Sequence, residues 1–128
     1  MKAQIKSQSI LIVDDEISLR EALRDKLEHE GFIALEAKNG EEGLAVALRS
    51  HPDLILLDIV MPVMDGISML KKLRADSWGK NTKVIMLTNL DGGGKVADAV
   101  IWGTHDYLVK SDWKLEDVVI KIREMLLK

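Results

Sequence analysis

Hydrophobic positions along this chain follow two alternating patterns. Short, nearly unbroken apolar runs occupy Ser9–Val13, Phe32–Ala37, Leu54–Leu57, Lys83–Leu87 and Tyr107–Val109. They are rich in Ile, Leu and Val, and most lack the polar alternation of a half-exposed strand. They therefore predict strands covered on both faces, as in a parallel sheet. Between them, apolar residues recur at helical spacing. Leu19, Ala22, Leu23 and Leu27 share one face of a first helix, which Gly31 stops. Asn39 is placed to cap a second helix carrying Leu44, Ala47 and Leu48, with Pro52 beyond its end. Ile67, Leu70 and Leu73 mark a third. Val96, Ala97, Val100 and Ile101 mark a fourth, which ends near Gly103 and is weakened at its start by Gly92, Gly93 and Gly94. Leu115, Val118, Ile122, Met125 and Leu126 mark a fifth. Parallel strands need crossover helices, so five of each predict an α/β, doubly wound, five-stranded parallel sheet with five helices. The polar residues 1–8 read as a loose lead-in, and residues 9–128 as one domain.

Composition narrows the classes. The chain of 128 residues is 47% hydrophobic and 30% charged, which suits a globular fold with one core. Its net charge of -3 gives no electrostatic reason to bind nucleic acid or an anionic membrane. It has no cysteine, which excludes a disulfide frame, thiol catalysis and thiolate metal sites. No apolar run reaches the ~18 residues of a membrane span, and MKAQIKSQ lacks the apolar core of a secretion signal. The expected location is cytoplasmic.

The candidate chemistry lies where the apolar runs end. Asp14, Asp15 and Glu16 follow the first strand, and Asp58 ends the third in DIVMPVMDG. In doubly wound folds, function collects at the carboxyl ends of the strands, where strand order reverses. With the flavodoxin-like order 2-1-3-4-5, the first and third strands are neighbours and these acids meet in one crevice. Thr88 ends the fourth strand and Lys110 the fifth, on the same edge. Three carboxylates in one pocket repel, and burial raises the cost of keeping them charged. A hard cation such as Mg²⁺, or Mn²⁺ in its place, relieves that conflict, since oxygen ligands suit it and it commonly sits on carboxylates beside a phosphate. An aspartate there can accept a phosphoryl group, with Lys110 as a compact positive charge and Thr88 as a hydroxyl donor. Each element also has a plainer reading. The acidic run fits the first turn of a helix, Asp58 fits a turn cap, and Lys110 fits a solvated surface side chain. What favours the site is convergence of four strands on one edge.

The stretches ILIVDDE, HPDLILLDIVMPVMDG, VIMLTN and HDYLVK resemble, in that order, the receiver domains of two-component response regulators, chemotaxis regulators among them. The resemblance covers about Ser9 to Leu127. It implies that Asp58 is the phosphorylated aspartate. It further implies that Asp15, Asp58 and the Val60 carbonyl ligate Mg²⁺, with Asp14 acting through water. Thr88 and Lys110 would grip the phosphoryl group, and Tyr107 would be the aromatic switch. The implied donor is a phosphohistidine of a sensor histidine kinase or histidine phosphotransfer protein. The implied output is a change in the face between the fourth and fifth helices, read by a downstream protein target or by a separate output domain. A monomer or weak dimer is expected. The chain would catalyse its own phosphorylation and its own slow dephosphorylation.

Several positions depart from the family pattern. Proline usually follows the lysine through a cis bond; here Ser111 follows, and a non-proline cis bond costs ~3 kcal/mol or more, so a trans bond is expected. Asn89 replaces a usually small residue. Val60 and Leu90 flank the expected path of attacking water and cannot orient it by hydrogen bonding, which implies a long-lived phosphoaspartate. Asp91-Gly92-Gly93-Gly94-Lys95 lacks the spacing of a nucleotide-binding loop and reads as an entry to the fourth helix. Trp102 and Trp113 suit either a docking face or core cover, with Trp113 expected to be partly exposed. Competing readings are a dehalogenase-type aspartyl-phosphate phosphatase, which wants DxD where this chain has DD, a flavodoxin-like FMN carrier, whose phosphate Asp14 and Asp15 would repel, and a receiver-like binding module that is never phosphorylated.

Overall fold

A computed structural model describes residues 7–88, 106–110 and 114–127. Five strands, β1 (Ser9–Val13), β2 (Ile33–Ala37), β3 (Leu54–Asp58), β4 (Val84–Thr88) and β5 (Asp106–Val109), form one sheet of order β2-β1-β3-β4-β5, with every pairing parallel. Four α-helices are described: α1 (Ile17–His29), α2 (Gly40–Ser50), α3 (Gly66–Arg74) and α4 (Leu115–Leu126), with a short 3₁₀ turn at Gly79–Asn81. The helix α4 is the fifth expected one. The fourth expected helix, Val96 to Gly103, lies outside the described residues, as do Asn89, Leu90, the Gly92–Gly94 segment, Trp102, Ser111 and Trp113. The geometry of the Lys110–Ser111 bond falls with them.

Two cores explain the unbroken apolar runs. Successive strand side chains point to opposite faces. Leu11, Val13, Ile55, Leu57, Val84 and Met86 pack on one face with Ala47 of α2 and Met69, Leu70 and Leu73 of α3. Ile10, Ile12, Leu54, Leu56, Ile85 and Leu87 pack on the other with Leu23 and Leu27 of α1 and Val118, Ile122 and Met125 of α4. Every position of β3 is buried, because β3 has a strand on each side and helices on both faces. The edge strand β2 is less covered, and Ile33 is exposed.

Local signals behave as their chemistry dictates. Gly31 takes φ +96 just beyond α1, a conformation that suits glycine. The Asn39 side chain accepts a hydrogen bond from the Glu42 amide at 2.8 Å, capping α2. That helix ends at Ser50, with His51 left-handed before Pro52. Its expected face differs at one position: Ala47 is fully buried, but Leu48 is exposed. Leu48 is adjacent to Ala47, about 100° further round the helix, so one stripe cannot bury both equally.

Candidate functional site

The carboxyl ends of β1 and β3 are adjacent, with Val13 paired to Leu57. Each strand therefore delivers its next residue, Asp14 and Asp58, to the same edge. Both carboxylates are buried, Asp14 completely, whereas Asp15 is exposed. Carboxylate oxygens of Asp14, Asp15 and Asp58 lie within 4.8 Å of one another. The acidic run does not form the first turn of α1, which begins only at Ile17 and carries no acid in that turn. Instead Asp14 Oδ1 accepts the Glu16 amide at 2.9 Å, which turns the chain from β1 into the helix. Its Oδ2 is left facing the crevice.

Lys110, one residue past β5, crosses to this pair. Its Nζ lies 3.0 Å from Asp14 Oδ2 and 3.3 Å from Asp58 Oδ2. Burial pulls the lysine pKa down, but the negative charge of Asp14, and then of Asp58, outweighs it, and the net shift is upward. For Asp58, burial and then the Asp14 charge push the carboxyl up to about 6, against the pull of Lys110. One ammonium is thus shared by two of the three carboxylates, Asp14 and Asp58. Asp14 Oδ2 is buried and meets no aligned hydrogen-bond donor, the Lys110 contact being a charge contact rather than a directed bond. A buried, underserved carboxylate oxygen facing two more carboxylates is a donor set that fits a hard divalent cation. Asp14, Asp15 and Asp58 would hold it.

The loop from Asp58 to Gly66 is tied at both ends. The Gly66 amide donates to the Ile59 carbonyl at 2.8 Å, and the Gly40 amide to the Met64 carbonyl at 2.8 Å. A Cβ at Gly66 would collide with the Asp58 carbonyl, so glycine is needed there for close approach rather than for a positive φ. Likewise a Cβ at Gly40 would strike the Met64 carbonyl. Between these ties, the Met64 amide reaches back to the Pro62 carbonyl at 2.7 Å, and Val63 takes φ +68. That is a tight three-residue turn around a β-branched residue, a strained arrangement. Asp65, the second acid of DIVMPVMDG, caps α3 by accepting the Ser68 amide at 2.7 Å.

The expected site residues therefore divide. Asp14, Asp15, Asp58 and Lys110 are brought together. Val60 lies in the tied loop with an exposed side chain. Thr88 ends β4 opposite Val109, on the same edge of the sheet, but its side chain is not among those described. Tyr107 pairs with Met86 in β5, and its side chain is 47% exposed, so the ring is partly turned outward. Sequence reasoning missed Arg20. Its Nη1 donates to the Asp14 carbonyl at 2.8 Å while its Nε holds Glu36 Oε1 at 3.0 Å. The available signal was Glu36, an acid inside the otherwise apolar run of β2.

Comparison with known proteins agrees with this geometry. The family described as Response regulator receiver domain matches residues 10–123. The transcriptional regulatory protein ResD of Bacillus subtilis is 38% identical over 123 residues, covering 96% of this chain and 50% of that protein. The transcriptional regulatory protein SrrA of Staphylococcus aureus is 38% identical over 120 residues, covering 94% and 48%. The chain thus spans about half the length of these relatives. Among solved structures, chemotaxis protein CheY4 of Vibrio cholerae superposes with a TM-score of 0.87 at 31% identity, covering 94% of this chain and 99% of that one. The receiver domain of sensor histidine kinase PA1611 from Pseudomonas aeruginosa, which has a magnesium ion coordinated in its active site cleft, gives 0.87 at 26% identity, covering 96% and 100%.

Proposed function

The chain belongs to the response regulator receiver family of two-component signalling, and on that premise we propose that Asp58 is its phosphoacceptor. The supporting observation is the position of Asp58: it ends the central strand, is buried, and faces Asp14 and Lys110 with its carboxyl raised to about 6. Near neutral pH it is mainly the carboxylate, the nucleophilic form.

In the proposed reaction an Asp58 oxygen forms a bond to phosphorus as the phosphorus–nitrogen bond of a phosphohistidine breaks. The leaving imidazole keeps the electron pair and retains or takes up a proton. The donor is a sensor histidine kinase or a histidine phosphotransfer protein. A bound Mg²⁺, or Mn²⁺, held by Asp14, Asp15, Asp58 and the Val60 carbonyl would neutralise charge on the transferring group. Lys110 is poised for the same task, since its ammonium already lies at the Asp58 carboxylate and can exchange one oxygen partner for another. The Thr88 hydroxyl takes a phosphoryl oxygen, and Tyr107 with the face between the fourth expected helix and α4 reports the change to a protein target or output domain. The proposed setting is the cytoplasm. The apolar side chain of Val60 at the loop start favours a long-lived phosphoaspartate.

Incubation with acetyl phosphate and Mg²⁺, followed by intact-mass measurement, tests the proposal. Wild type should gain one phosphoryl group and Asp58→Asn none. No gain on wild type would support a receiver used purely as a binding module. Loss of phosphate within seconds would sink the long lifetime.

A further inference from the structure

The Asp14 carbonyl belongs to the peptide unit that joins the two acids at the end of β1. The orientation of that peptide fixes how the buried Asp14 carboxylate and the exposed Asp15 carboxylate are presented relative to each other. The residue lies one position beyond β1, where the ladder ends. Its amide still reaches β2, donating to the Ala37 carbonyl at 3.1 Å. Its carbonyl is taken by a side chain: Arg20 Nη1 donates to it at 2.8 Å. The same guanidinium is anchored by Nε to Glu36 Oε1 at 3.0 Å, and the Arg20 side chain is only 15% exposed. Glu36 sits on β2 opposite Ile12 of β1, so the anchor is rigid sheet rather than loop. A planar fork with two fixed bonds transmits that rigidity as a flexible lysine could not.

We propose that Arg20 is a positioning residue for the cation site, holding the Asp14–Asp15 peptide in the orientation that lets both carboxylates face one ion. It touches neither ion nor phosphoryl group; it acts through the backbone between two ligands. The proposal rests on the cation reading given above. Groups that orient ligands in this way commonly change metal affinity by about 10–100-fold when removed.

Nature has placed a control one helical turn away. Arg24 pairs with the other oxygen of Glu36, Nη1 to Oε2 at 3.1 Å, and with Asp25, but has no bond to Asp14. Removing it disturbs the same ion-pair network without releasing the peptide. The experiment is a Mn²⁺ titration followed by electron paramagnetic resonance, on wild type, Arg20→Met, Arg20→Lys and Arg24→Met, each checked for folding by circular dichroism. Arg20→Met should weaken Mn²⁺ binding by about 10-fold or more, Arg20→Lys by about 3-fold, and Arg24→Met by less than about 2-fold. Equal weakening in Arg20→Met and Arg24→Met would overturn the proposal, because the effect would then belong to the Glu36 network. Wild-type affinity in Arg20→Met would overturn it too. Should Arg20→Met fail to fold, Arg20→Lys carries the test: unchanged affinity there sinks the idea. If wild type binds no Mn²⁺, the cation reading itself fails and takes this one with it, an outcome distinct from the other two.

Discussion

Two aspartates mark the two ends of the central strand. Asp53 precedes β3 and Asp58 ends it. Asp53 is exposed, and its Oδ2 accepts the Ser9 amide at 2.8 Å and the Ser9 hydroxyl at 3.4 Å. Its own amide returns to the Ser9 carbonyl at 2.8 Å. It closes the start of β3 against β1 and leaves little charge unmet. Asp58 is buried, and its neighbours are two more carboxylates and one shared lysine. The same side chain on the same strand is satisfied at one end and frustrated at the other. Structure consumes the first; the second is left with charge that its surroundings only partly meet. The difference lies in what surrounds each acid, not in the acid.

The sharpest way to break this contrast is to remove each charge in turn. Asp58→Asn should reduce phosphorylation by acetyl phosphate to background, whereas Asp53→Asn should leave its rate within about two-fold and lower stability by about 1 kcal/mol, measured by urea unfolding. Comparable phosphorylation of the two variants would erase the distinction.

Next in size is the lysine. Lys110→Met leaves Asp14 and Asp58 facing one another without a cation. In metal-free buffer at pH 8 it should be destabilised by about 2–3 kcal/mol, somewhat less than a fully buried pair would lose. Added Mg²⁺ should raise its melting temperature by more than it raises that of wild type. An unchanged melting temperature in metal-free buffer would mean that the carboxylates are relieved some other way.

The pH dependence follows with a definite sign. The folded Asp58 carboxyl titrates near 6 rather than the ordinary 3.8, so between those values the folded state binds more protons than the unfolded state. Its contribution to stability in metal-free solution is therefore lost as pH rises from 3.8 towards 6, by about 1–3 kcal/mol. Asp58→Asn should flatten this stretch of the profile and be more stable than wild type at pH 7 without metal. A wild-type stability that rises across the window would contradict the assignment.

The smallest effect concerns the two non-glycine residues of positive φ among those described, Val63 beside the site and His51 at the opposite edge. Val63 is β-branched and 76% exposed, so Val63→Gly should relieve strain and add roughly 0.5–1 kcal/mol. His51 stacks on Trp78 at 4.2 Å, so His51→Gly should lower stability by about 1 kcal/mol instead. Parallel thermal melts decide both signs.

Much of this arrangement was readable in the chain. The runs at Ser9–Val13 and Leu54–Leu57 announced strands buried on both sides, and their acidic sequels announced the crevice. Asn39, Gly31 and Pro52 acted through local chemistry, which leaves a local signature. What the sequence hid was contact between distant segments. Nothing in ISLR says that Arg20 will meet a carbonyl before its own helix and a glutamate on β2. Lys110 was foreseen as a partner for phosphoryl oxygens; that it already lies against Asp14 and Asp58 follows from the order of β1, β3 and β5 in space. The need for glycine at position 66 arises from the Asp58 carbonyl pressed against it, a property of packing alone.

Lys110 also sets a clock. It arrives just after the last strand, while its partner Asp14 follows the first strand and Asp58 ends the third. During synthesis the two acids leave the ribosome well before the lysine does, and the loop that joins Asp14 to Lys110 spans most of the chain, so it closes late. A nascent or truncated chain ending before β5 would carry the Asp58 carboxylate without its lysine counter-charge. The charge balance of the crevice is therefore completed only at the end of folding.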